Sequence, residues 1–135
     1  MPGFEGGCLC GKIRYVSTAD PAMTAICHCT HCQKQAGSAF SVIVAVPKPA
    51  FRLQGTPKRY VDKGDSGLPV HRNFCPDCGS PVTTDVSAMP DLVFVKAGTF
   101  DDPSKISPTM EIFCSSAQAW TAAVNSRMKF ERGPS

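Results

Sequence analysis

Apolar positions fall in short runs along this chain, some alternating with polar residues and some continuous, and proline, glycine or aspartate closes most of them. That is a pattern of strands joined by turns, without long helices. Residues 12–16 alternate and predict a half-buried strand that ends at Asp20-Pro21. Residues 23–29 predict a second strand with Cys27 and Cys29 on one face and His28 on the other. A turn or two of helix is predicted over 33–36, closed by Gly37. The run 40–46 is apolar on both faces and predicts a central strand. Pro47, Pro49, Gly55 and Pro57 punctuate the next stretch and leave room for brief strands at 51–54 and 58–61. Residues 62–67 read as a solvated polar loop. Further strands are predicted at 70–74, 81–85, 92–97 and 110–113, and a short helix within 118–130 that would bury Trp120. The sum is a mainly β fold of small sheets with few short helices, expected to form a single domain over 1–135.

Composition agrees with many turns: Gly 11 and Pro 12 accompany a hydrophobic fraction of 42%. The opening residues carry no apolar signal-peptide core, and no apolar run is long enough to span a bilayer. A cytoplasmic location is the expectation. In a reducing compartment the eight cysteines point to metal rather than disulfides. Seven thiolates shared between two divalent ions would cancel the formal +3 charge. The Lys and Arg residues are scattered and form no basic stripe, so neither nucleic acid nor a membrane is an expected partner.

Three cysteine groups carry the chemistry. Gly7-Cys8-Leu9-Cys10-Gly11, read as an extended segment, would aim two sulfurs at one ion. Cys27-His28-Cys29-Thr30-His31-Cys32 puts three thiols and two imidazoles within six residues. Phe74-Cys75-Pro76-Asp77-Cys78-Gly79-Ser80 is a knuckle that brings two sulfurs to one ion through a tight turn. Thiolate donors suit zinc. Structural zinc is closed by four ligands, whereas catalytic zinc keeps a place for substrate. Two pairs and a trio therefore favour one closed site and one site with a place left over. Other partitions stand beside this one. Cys29 and Cys32 could join Cys75 and Cys78, leaving Cys8, Cys10 and Cys27, or Cys114 or His31 could complete the trio. Cys114 reads more simply as a small buried residue on a strand. His28, His31 and His71 read as supporting or surface histidines.

In these motifs, and in Gly98-Thr99-Phe100-Asp101-Asp102-Pro103 and the 108–120 region, the chain resembles the glutathione-dependent formaldehyde-activating enzyme family, which includes centromere protein V-like domains. The resemblance implies an Mss4-like (β-tent) fold. It implies a structural zinc on Cys8, Cys10, Cys75 and Cys78, and a second, catalytic zinc on Cys27, Cys29 and Cys32. It also implies carbon–sulfur lyase chemistry that joins glutathione to formaldehyde as S-(hydroxymethyl)glutathione. Lys34 and Arg72 are then candidate anchors for the glutathione carboxylates. Two positions depart from the family pattern: Glu111 stands where members commonly carry histidine, and Gln33-Lys34 where Arg-Lys often follows the trio. The alternative is a non-catalytic, zinc-stabilised binding module on the same fold.

Overall fold

The computed structural model describes residues 3–121 and 127–133. Among them, in chain order, are strands β1 (Phe4–Gly7), β2 (Arg14–Ser17) and β3 (Met23–Cys27), helix α1 (Thr30–Ala36), then β4 (Ser41–Pro47) and β5 (Phe51–Gln54). Next come β6 (Lys58–Lys63), β7 (Pro69–Phe74), β8 (Pro81–Val86), β9 (Leu92–Lys96) and β10 (Met110–Ile112). The fold is mainly β, in an Mss4-like arrangement of two sheets.

The smaller sheet has the order β1-β2-β5, and the larger runs β10-β3-β4-β9-β8-β7-β6. Neighbours are antiparallel except β10, which lies parallel to β3. Val46, Val93 and Val95 of the large sheet meet Ile13 and Tyr15 of the small sheet side in one core, joined by Val82 and by Cys8 and Cys75. A register shift at Asn73/Phe74 leaves Val82 as an extra residue opposite β7, which turns its side chain into that core. The stacked rings of Phe4 and Phe100, 4.1 Å between centroids, close one end. At Gly6 the backbone passes so close to the Thr99 carbonyl and the Tyr15 hydroxyl that any side chain would clash.

The strand pattern read from sequence is present, with instructive differences. Cys8 to Cys10 form a turn instead of an extended segment, because Gly11 takes φ 82° and its N–H bonds back to the Cys8 carbonyl at 3.2 Å. The strand carrying Cys27 stops there, and Cys29 becomes the N-cap of α1, its sulfur accepting from the Cys32 amide at 3.3 Å. α1 is longer than expected and ends at Gly37 with φ 66°. β6 runs through Asp62 and Lys63, so Asp62 belongs to a strand and not to a solvated loop. Cys114 is exposed in a short 3-10 turn after Phe113, whose φ of 57° ends β10. Trp120 lies outside the core at 57% exposure. Positions 119–121 form a 3-10 turn, and 122–126 of the expected C-terminal helix lie outside the described residues. No helix among the described residues is long and apolar enough to cross a membrane.

Candidate metal centres

The knuckle at the end of β7 is built by backbone hydrogen bonds. Gly79 N–H donates to the Cys75 carbonyl at 2.9 Å and Cys75 N–H to the Ser80 carbonyl at 3.0 Å, while Gly79 takes φ 79°. The turn holding Cys8 and Cys10 is fastened to it, because the Leu9 N–H donates to Ser80 Oγ at 3.1 Å. The four sulfurs of Cys8, Cys10, Cys75 and Cys78 consequently lie within 4.8 Å of one another. Cys8 and Cys10 are 3.6 Å apart, and Cys10 and Cys75 3.7 Å. A tetrahedral ion with metal–sulfur bonds of about 2.3 Å needs sulfurs about 3.8 Å apart, so this donor set fits zinc. Hydrogen bonds from the Ser80 side chain and amide hold the Cys78 thiol down at about 5.

The second cluster sits on the opposite face of the large sheet. Cys27 lies directly across from Ser41 on β4, and Ile43 on the same face lies across from Lys96 on β9. Phe94 faces Thr84, Thr84 faces Arg72, and Arg72 faces Tyr60 on β6, two residues from Asp62. Alternation of side chains thus puts Cys27, Ser41, Lys96, Arg72 and Asp62 in one lane. α1 supplies Cys29 and Cys32, and the three sulfurs gather within 4.8 Å of one another. No fourth Cys, His, Asp or Glu donor joins them at that spacing among the described residues. Of the partitions open to the sequence, the structure brings together the quartet and the local trio.

Asp62 and Lys96, which the sequence did not single out, organise the charge around the trio together with Arg72. Arg72 is buried, its Nε donates to Asp62 Oδ2 at 2.9 Å and its Nη1 faces Cys32 Sγ at 3.9 Å. His31, expected as a possible ligand, turns its Nδ1 to Asp62 at 2.8 Å. Burial works against the Asp62 charge, yet hydrogen bonds from His31, the Lys63 amide and Arg72 outweigh it and hold the carboxyl at about 2. Lys96 is 7% exposed, and its Nζ donates to Ser41 Oγ at 2.6 Å. The Cys27 hydrogen bond, against burial and with help from Arg72, brings the Cys32 thiol down to about 5. Cys27 is correspondingly pushed up by its bond to Cys32 and by burial.

Two further contacts shape the rim. Gln33 Nε2 donates to the carbonyls of His28 (2.6 Å) and Ser116 (2.9 Å), and its Oε1 accepts from Gln118 at 3.0 Å, which ties the segment after β10 to α1. His28 is buried away from the sulfurs, with its Nε2 2.7 Å from Glu111 Oε1. Of the two expected carboxylate anchors, Lys34 is exposed on α1, whereas Arg72 is buried and engaged by Asp62. A sequence signal existed for Lys96: a lysine that ends an otherwise apolar strand is placed by alternation beside its buried neighbours.

Curated relatives include putative glutathione-dependent formaldehyde-activating enzymes of Emericella nidulans (31% identical over 58% of this chain) and Talaromyces marneffei (32% over 58%), and an uncharacterised lyase of Schizosaccharomyces pombe (30% over 59%). The matched regions span 42%, 44% and 56% of those proteins' own lengths. A crystal structure of a Rhodobacter sphaeroides protein shares the fold, with a TM-score of 0.60 at 15% identity over 79% of this chain and 98% of that one. The family model of the glutathione-dependent formaldehyde-activating enzyme matches residues 3–116, and the chain belongs to that family.

Proposed function

We propose that this chain, folded as one domain, is a zinc-dependent carbon–sulfur lyase-like enzyme that joins a thiol, glutathione in the first instance, to formaldehyde. Cys8, Cys10, Cys75 and Cys78 would hold a structural ion, and Cys27, Cys29 and Cys32 a catalytic one. The observation that carries the reading is the three-sulfur cluster that no fourth protein donor joins among the described residues. Zinc bound there would hold a substrate sulfur as thiolate at neutral pH.

The chain's own residues set the conditions for that chemistry. The three cysteines fix the position of the incoming sulfur. Three thiolates around a divalent ion leave one negative charge, which makes the site a weak electrophile and favours thiolate delivery. Arg72, buried beside Cys32, offsets part of that charge. Lys34, two residues beyond Cys32, is exposed on α1 and would meet a glutathione carboxylate.

The test is Cys32→Ser with zinc content and formaldehyde–glutathione turnover measured together. Loss of one ion together with turnover supports the assignment, and turnover that survives without the second ion removes it. A binding module without catalysis is the second reading. It is favoured by Glu111, which stands where family members commonly carry histidine and spends its carboxylate on His28. Glutathione added to the cobalt-substituted protein separates the two: a perturbed spectrum belongs to the enzyme, an unchanged one to the module.

A further inference from the structure

Lys96 is the one buried cation of this face that no carboxylate answers among the described residues: Arg72 has Asp62, whereas Lys96 Nζ has only the Ser41 hydroxyl. An ammonium carries three donors, so two remain. Ser41 lies directly across from Cys27 on the neighbouring strand, so the Lys96 ammonium that it holds sits on the trio's side of the sheet. Lys96 and Ser41 also line a cavity of about 320 Å³, together with Phe40, Ser38, Pro81 and Thr99. None of the three sulfurs lines the cavity, but Ser41, the cross-strand neighbour of Cys27, does, and the cavity is walled by apolar and hydroxyl groups around one ammonium. A small uncharged carbonyl compound suits that lining.

We propose that Lys96 donates a proton to the aldehyde oxygen as thiolate adds to the aldehyde carbon, and that this cavity is the aldehyde subsite. The inference rests on the thiol–aldehyde reading of the proposed function. In the step a carbon–sulfur bond forms and the carbonyl π pair moves to oxygen. The Lys96 ammonium then passes its proton to that oxygen, giving the hydroxymethyl thioether and a neutral amine. The amine recovers its proton from the next thiol as that thiol ionises, so no further reactant is consumed. Burial lowers the Lys96 pKa, which suits a group that must release a proton. A proton donor also meets the need left by a metal site too electron-rich to stabilise the oxygen's charge by itself.

The experiment uses the zinc-loaded protein, Lys96→Met and Lys96→Arg, with formate as a one-carbon oxyanion probe followed by calorimetry. Wild type is expected to bind formate. Lys96→Met should bind it at least tenfold more weakly, and Lys96→Arg, which keeps the charge, about as well as wild type. Formaldehyde–glutathione turnover should fall about 100-fold in both variants, because arginine does not release its proton. Zinc content should stay at the wild-type value. No formate binding to wild type, unweakened binding to Lys96→Met, or full turnover by Lys96→Arg would each overturn the proposal. If Lys96→Met fails to fold, wild type and Lys96→Arg decide it. A wild type that neither turns over nor responds to glutathione in its cobalt form removes the functional reading itself. A working wild type with an equally active Lys96→Arg removes only the role of Lys96.

Discussion

Arg72 Nε donates to Asp62 Oδ2 at 2.9 Å across neighbouring strands, and both side chains are largely buried, with 8% and 12% exposure. Removing one partner of such a pair strands the other charge. Asp62→Asn is expected to lower stability by about 3 kcal/mol, read from the denaturation midpoint. The Asp62 carboxyl is held at about 2, below its unfolded value. Its contribution is therefore complete above about pH 4 and lost as pH falls through about 2. Melting temperature between pH 5 and pH 2 should fall more steeply in wild type than in Asp62→Asn, and parallel curves would contradict the assignment.

The quartet of sulfurs sits where the two sheets meet, with Cys8 and Cys75 in the core itself. Metal bound there is expected to contribute to folding on the order of 10 kcal/mol. Cys75→Ser, or removal of metal by a chelator, should abolish the cooperative melt in circular dichroism. Cys32→Ser should keep it. A cooperative melt in Cys75→Ser would show that the apolar core suffices.

The Gln33 side chain makes three hydrogen bonds, two of which couple α1 to the segment after β10 while the third reaches the His28 carbonyl. Gln33→Ala removes them without touching a sulfur. Amides around Ser116 and Gln118 should exchange at least tenfold faster with solvent, while zinc content stays unchanged. Unchanged protection would mean that other contacts hold the segment.

His28 has one hydrogen-bonding partner on its ring, the Glu111 carboxylate, and its Nδ1 has none among the described residues. Glu111→Ala should cost about 1–2 kcal/mol of stability by leaving both ring nitrogens without protein partners. Glu111→Gln, which can still accept a hydrogen bond, should recover part of it. Equal losses in the two variants would locate the cost in charge and not in the hydrogen bond.

Much of the sulfur grouping was legible in one dimension because cysteine spacing is a local property. A Cys-Pro-Asp-Cys-Gly knuckle closes through its own backbone, so Cys75 and Cys78 needed no distant partner to be recognised as a pair. The trio is local in the same sense. Strand existence was legible too, since alternation and turn residues act over a few positions. The boundary at Cys27 was less so, because a helix cap at Cys29 competed with strand continuation.

The sequence by itself determined the β-rich class, the sulfur groups and the family pattern, all of which depend on short-range spacing. The tertiary structure decided which groups share a centre and what surrounds them. Cys10 meets Cys75 across 65 residues, and Arg72 reaches Cys32 across 40. Lys96 finds Ser41 across 55. Strand order and register bring these residues together, and order and register arise from packing the whole sheet against its core. The burial that makes Lys96 and Asp62 matter comes from the same packing: alternation along an apolar strand hints at it for Lys96, and no local pattern announces it for Asp62.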